Sequence, residues 1–525
     1  MNRLILLTPV VFLAACPKLG SLPPVADLPS VGANSDILPS SNPVVTDAPA
    51  AVARLRSAPV PASYRDIPYG PLRWEAPLVS SFADTIAPGV VVYWVPDSSL
   101  PLASAQFVWN EGRLALTPEQ DAAAGLLGRL LRDGGTATYS PARIDDTLEF
   151  LAANASISIG MVRTSAAVRG LSRDLHFLID LLGEMLTEPR FDTARLSTLK
   201  QARIQDIEHA FDTPAQCLGL TWGRMAYGPG PWTTLTDSSH VRKLTVSDFR
   251  TALRGRFAAR NVLVSVAGSY DKAAVRARLI ALLDRLAKNA AAAPVAKLDS
   301  LAPVPDLRER GVWIHDIPAT QANIRIGTRF IRRDHPEFYP LMLASEVLGQ
   351  SGFGSRLVER VRSDEGLAYF VRSFVGSEYD RPGMIGVNLQ TKVPSTGRAL
   401  KIVFDEMKLL ADSGFRPGEL EKARQGLIAS APSLFDTPEN TADIVLQSAA
   451  WKRRDDHFRV YVKALDTIPA AEVLRVYRKW FVPDSMRIVV AGPASELRKT
   501  FPDGSPGLDT YGTVRIWNPD TLRAK

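Results

Sequence analysis

Histidine and cysteine are both scarce in this 525-residue chain, with six of the first and two of the second. His176, His209, His240, His315, His335 and His457 never stand closer than twenty residues, so no helix turn carries two imidazoles. That excludes every metal motif built on a histidine pair at helical spacing. Cys16 and Cys217 are too few for a disulfide framework. Ser351 is followed directly by Gly352, which denies a G-x-S-x-G nucleophile elbow, and no GK[ST] follows the glycines of that region. No run of five like charges occurs, and the net charge of +7 is spread along the chain. The densest basic spots, RGRFAAR and KRRDD, lack an aromatic-interleaved basic stripe, so no nucleic-acid partner is expected. No segment reaches eighteen apolar residues, so a membrane-spanning helix is not expected either.

The chain opens with MNRLILLTPVVFLAAC. Arg3 supplies a positive start and Leu4 to Ala15 an apolar stretch of twelve, which suits a secretory leader. Leu13-Ala14-Ala15-Cys16 resembles a bacterial lipobox, which makes Cys16 the expected lipidation site. Pro17 in place of an aspartate points to the outer membrane, facing the periplasm. With Cys16 acylated, Cys217 has no partner in the chain and reads as a small buried hydrophobe. Nine prolines between Pro17 and Pro61 mark an extended tether.

The tetrapeptide FDTP occurs at Phe211–Pro214 and again at Phe435–Pro438, 224 residues apart. Asp248 and Glu472, Phe257 and Phe481, and Gly268 and Gly492 repeat at the same offset. KQAR (Lys200–Arg203) and EKAR (Glu421–Arg424) echo each other three residues out of step. A period this long means duplicated domains. Strands such as NVLVSVAG and MRIVVAG mix with helices without βαβ alternation. The expected class is therefore α+β, each copy a mixed or antiparallel sheet with helices packed on one face. The expected layout is a leader over 1–16, a tether over 17–65, an N-terminal domain over 66–286 and a linker over 287–305. A C-terminal domain over 306–500 and a tail over 501–525 complete it.

The second copy contains LGQSGFGSRLVERVRSDEGLAYFV, Leu348–Val371. Its glycine-rich turn, Ser355-Arg356-Leu357, Arg362 and Gly366-Leu367-Ala368-Tyr369 resemble the pitrilysin/insulinase family of zinc metallopeptidases, in its two-domain, processing-peptidase-like branch. The hairpin near residue 100, the VAG endings and the duplication extend the likeness over about 70–500. The resemblance implies a zinc held by an H-x-x-E-H helix in the first copy, with a carboxylate ligand some seventy residues later. Histidines at i and i+4 share a helix face and the glutamate serves the metal-bound water as base.

This chain departs from that pattern. The matching helix, QDAAAGLLGRLLRDGGT, places Leu126, Arg129 and Leu130 at the motif positions, or Gly125, Gly128 and Arg129 if shifted by one. The distal position falls near Leu199. No metal and no cofactor is therefore expected in this chain. Asp206, His209 and Asp212 share a helical spacing and offer a weaker metal site, against which a solvated face is the plainer reading. Asp334-His335 and Asp456-His457 read as surface pairs. Arg362 and Tyr369, seven apart, match the arginine–tyrosine pair that binds substrate backbone and steadies the oxyanion in relatives. By themselves they also read as a surface charge and a core aromatic. Gly352 and Gly354 sit where relatives keep flexible loops near substrate, although turn geometry explains them equally.

The resemblance thus implies a non-catalytic, substrate-binding subunit, partnered by an H-x-x-E-H zinc peptidase subunit of the same family. Zinc is expected in that partner and peptides or unfolded segments as substrate. Two alternatives stand beside it: a structural scaffold of a membrane-associated complex, and an enzyme with an unrecognised metal site.

Overall fold

Two buried sheets of the same design organise the chain, and their repetition follows directly from its strand text. The computed structural model describes residues 74–288 and 310–517, apart from 229, 234, 260, 261, 353 and 377. Cys16, the tether and most of the linker lie outside the described residues.

The first half builds β1 (Ala83–Ala87), β2 (Val90–Pro96), β3 (Leu102–Trp109), β4 (Asn154–Ile159), β5 (Thr164–Leu171) and β6 (Val262–Gly268) into one sheet, ordered β1-β2-β6-β3-β5-β4. The second half orders β7 (Val312–Asp316), β8 (Gln321–Arg329), β9 (Ala368–Gly376), β10 (Met384–Lys392), β11 (Arg487–Gly492) and β12 (Val514–Trp517) as β12-β7-β11-β8-β10-β9. The order from β2 to β4 repeats from β7 to β9, with one parallel pair (β2–β6, β7–β11) and antiparallel neighbours beyond it. The class is α+β, as expected. The sixth strand of each sheet is different. β1 makes an antiparallel hairpin with β2, whereas β12, from the stretch read as a tail, runs parallel to β7.

Six helices matter for the site: α1 (Pro118–Asp133), α2 (Thr193–Glu208), α3 (Pro214–Tyr227), α4 (Phe338–Ser345), α5 (Glu419–Ser430) and α6 (Pro438–Ala450). Each half packs its own helices on one face of its sheet. In the first half, Leu127, Leu130 and Leu131 of α1 meet Phe107, Val168 and Val264. In the second, Leu341 and Leu343 of α4 lie with Ile324, Val387 and Ile488.

The other face of each sheet takes a helix from the opposite half. α3 lays Cys217, Leu218, Trp222 and Met225 on Trp313, Met384, Val489 and Ala491 of the second sheet. α6 lays Val445 and Leu446 on Tyr93, and Ala442 on Val95 and Ala267, of the first. This explains why β2, β6, β7 and β11 are buried almost continuously: both their faces are covered.

FDTP is the start signal of those exchanged helices. Thr213 Oγ1 accepts a hydrogen bond from Gln216 N at 3.4 Å and Thr437 Oγ1 one from Asn440 N at 3.0 Å. The proline that follows each threonine takes the first helical position, where its missing N–H costs nothing. Each preceding phenylalanine joins an aromatic contact: Phe211 stacks on His315, and Phe435 meets Trp74 and Phe458. Cys217 is buried and free, its thiol pushed up to about 11 by desolvation.

Candidate functional site

Helix α1 is phased by its first turn. Thr117 Oγ1 accepts from Gln120 N, and Gln120 Oε1 accepts from Thr117 N at 3.2 Å, a reciprocal box ahead of Pro118. From that phase, Leu126 and Leu130 fall on one buried face, with Leu130 wholly enclosed. Arg129 turns outward, its Nε 3.9 Å from Asp133. Gly128 turns to the sheet, where a Cβ would lie 2.4 Å from the Ile157 carbonyl oxygen. Of the two registers, Leu126 and Arg129 of the first and Gly125 and Arg129 of the second border the space between α1 and α2, while Leu130 and Gly128 do not.

Leu126, Arg129 and Leu199 of α2 line one cavity of about 210 Å³. The structure thus brings together the positions that the sequence reading assigned to the lost motif and its distal carboxylate. Arg113 and Arg203 join Arg129 in the wall; Arg113 is held by Asp121 at 2.7 Å, and Asp121 also accepts from Thr236 at 3.0 Å. Leucine offers no lone pair, and three guanidiniums repel a divalent cation. Among the described residues, no group of three or more His, Cys, Asp or Glu is close enough to hold a metal. His209 hydrogen-bonds Asp212, while Asp206 faces the α1–α2 cavity, so those three do not converge.

The histidine–aspartate pairs divide. His335 Nδ1 accepts from Glu337 N at 3.1 Å beside an exposed Asp334. His457 is not a surface residue: it is half-buried at a helix start, and desolvation, with the charges of Arg453 and Arg333, pushes its pKa down to about 4. Phe458 packs edge-on against the ring at 5.0 Å, and Arg333, 124 residues away, adds a positive charge that the local pattern does not show.

Arg362 and Tyr369 are brought together. A π-helical turn, Val358–Asp364, carries Arg362, and Tyr369 is the second residue of β9. Leu367 N donates to Val361 O at 2.9 Å and Gly366 turns the chain at φ 61°, which folds the two side chains toward one another. The Arg362 guanidinium carbon lies 5.6 Å from the Tyr369 ring centre, a cation–π arrangement. Tyr369 is 83% exposed on an edge strand, so it is not a core aromatic. A guanidinium and a phenol standing together in solvent offer hydrogen-bond donors to a partner's carbonyl or to developing negative charge.

The glycine-rich turn is held from behind. Ser355 Oγ donates to Gly352 O at 2.6 Å. Arg356 is buried, donating through Nη2 to Glu419 Oε2 at 2.6 Å and to Gly414 O at 2.8 Å. Gly352 and Gly354 have φ of 75° and 89°, which only glycine adopts without strain. Sequence reading caught the Ser355-Arg356-Leu357 signature but not its anchor, Glu419, 63 residues away. It also passed over Glu346, a buried carboxylate just ahead of the turn.

Residues 243–427 match the family model described as the peptidase M16 inactive domain. An "uncharacterized zinc protease" of Streptomyces coelicolor is 25% identical over 327 residues, 61% of this chain and 70% of the relative. A "non-peptidase homolog", YmxG, of Helicobacter pylori is 24% identical over 356 residues, 66% of this chain and 79% of its own. In fold, the crystal structure of a peptidase M16 inactive domain from Pseudomonas fluorescens is similar with a TM-score of 0.67 at 22% identity, covering 78% of this chain and 97% of that one. Two repeated sheets, a motif helix bearing leucine and arginine, and a match over residues 243–427 make this chain similar to the inactive domain of the M16 peptidases, the pitrilysin/insulinase family.

Proposed function

We propose that this chain is the substrate-binding, non-catalytic subunit of a zinc metallopeptidase pair, acting on peptides or unfolded protein segments. One observation carries it: Leu126, Arg129 and Leu199 offer no metal ligand in the α1–α2 cavity, while Arg362 and Tyr369 stand paired and exposed. Residues that serve another chain's chemistry have reason to face solvent together. The partner is an M16 chain with an intact H-x-x-E-H helix, which supplies the zinc. Gly352 and Gly354 shape the loop beside the bound segment. Cys16, outside the described residues, carries the lipid that tethers the subunit to the outer membrane on the periplasmic side. No helix among the described residues is long and apolar enough to cross a membrane.

The test is isolation from the native membrane in mild detergent, with co-purifying chains identified by mass spectrometry. A stoichiometric H-x-x-E-H partner supports the reading. Peptidase activity of the pair should then fall at least tenfold in Arg362→Ala and several-fold in Tyr369→Phe. Undiminished activity in both overturns their role, and a complex without any such partner turns the reading to a scaffold.

A further inference from the structure

The 224-residue offset relates the cavity between α1 and α2 to a second, larger one. Ala122 and Leu126 line the first; Glu346 and Gln350, each 224 residues later, line a cavity of about 780 Å³ in the second half, with Ala423 and Ser430 of α5 in its wall. It lies between the π-helical turn Glu346–Gln350, β9 and α5, behind the glycine-rich turn. In one half the repeat has filled this place with leucine. In the other it is open and polar.

Most charges in its wall are already matched. Arg416 Nη1 reaches Glu359 at 3.2 Å, and Glu419 takes Arg356 and the Arg416 N–H. Three remain. Glu346, Arg372 and Lys422 make no side-chain hydrogen bond or ion pair among the described residues. Glu346 is only 7% exposed. Without a protein donor, this carboxylate meets solvent only through the cavity, and burial raises its pKa against the opposing charge of Arg372. Lys422 stands at the mouth: a Cβ at Gly354 would lie 2.6 Å from its Nζ, so glycine there leaves the ammonium its place.

A cavity with one unmatched acid and two unmatched bases suits a ligand with a cationic and an anionic end. We propose that it binds a short free peptide, the α-ammonium on Glu346 and the α-carboxylate on Arg372 and Lys422. Its volume suits a ligand of roughly two to four residues. The choice of a peptide rests on the peptide-handling reading above; the cavity and its charges do not. Such a site would retain the short products of a neighbouring peptidase.

The test is calorimetric titration of the full detergent-solubilised chain, without any partner, using trialanine, N-acetyl-trialanine and trialanine amide. Free trialanine should bind at least tenfold more tightly than either blocked form. In Glu346→Gln, free and acetylated peptides should bind alike. In Lys422→Gln combined with Arg372→Gln, both exposed positions, free and amidated peptides should bind alike. Equal affinity of wild-type chain for all three ligands, or no binding at millimolar concentration, overturns the proposal. Because no peptidase activity is read, either outcome is independent of whether the zinc-bearing partner exists.

Discussion

The Arg163 guanidinium lies 3.4 Å from the centre of the Trp451 ring, and its Nη2 donates to Ala450 O at 3.0 Å. Arg163 sits in the β4–β5 turn of the first half, and Trp451 closes α6 from the second, so one side chain both caps and covers the end of an exchanged helix. Arg381, in the matching β9–β10 turn, lies 4.2 Å from the Trp232 ring and 5.4 Å from Tyr227 at the end of α3. The halves thus hold each other's helix by the same device twice. Desolvation pushes the Arg163 pKa down to about 10. Arg163→Ala should cost about 2–3 kcal/mol, from a desolvated cation–π contact and one carbonyl hydrogen bond. Arg163→Lys should recover only part, lacking the planar stack. Urea unfolding midpoints check both.

Buried ion pairing behind the glycine turn makes a second prediction. Arg356 is 2% exposed and Glu419 is its partner, with a pKa held down by Arg356 despite its burial. Arg356→Met leaves Glu419 only the more distant Arg416, 3.8 Å away, and should cost about 3 kcal/mol. Because the folded pKa of Glu419 lies below its ordinary value, its contribution is present above that value and is lost as pH falls through the lowered one. Without Arg356, burial pushes the Glu419 carboxyl above its ordinary value, so the loss of stability in Arg356→Met should shrink as pH falls from neutral toward that value and the carboxylate protonates. Unfolding curves of wild type and variant at pH 7 and pH 4 give the comparison.

Two glycines of one loop should respond differently. A Cβ at Gly349 would lie 2.7 Å from the backbone nitrogen of Ser373, which cannot move without disturbing β9. Gly352 has open space around it and only its φ of 75° resists substitution. Gly349→Ala should cost about 2–3 kcal/mol, and Gly352→Ala about 1 kcal/mol. Equal thermal shifts would contradict the packing account.

His457 sets a pH dependence. Its folded pKa, about 4, lies below the ordinary 6.5 because burial and the neighbouring Arg453 and Arg333 disfavour the imidazolium, with Asp456 opposing. The unfolded chain therefore takes up a proton first, and stability present above about pH 6.5 is lost as pH falls toward 4. His457→Gln should flatten the stability profile between pH 7 and pH 5, where few carboxylates titrate. An unchanged slope would mean that the ring is solvated in the folded chain.

The sequence by itself determined the duplication, the α+β class and the absence of an H-x-x-E-H motif. The last two are local: a strand needs only its own alternation, and a chain without paired histidines cannot rebuild them by folding. Tertiary structure decided what each local feature is for. That FDTP opens a helix is written in Thr-Pro, but that the helix crosses to the other sheet depends on Trp222 meeting Met384 and Val445 meeting Tyr93. Nothing local announces the burial of Arg356 or the stacking of Arg163, because their partners, Glu419 and Trp451, are remote in sequence. Burial follows from packing between distant segments, so the cavity around Glu346 became visible only when the repeat was folded and its two copies could be laid over one another.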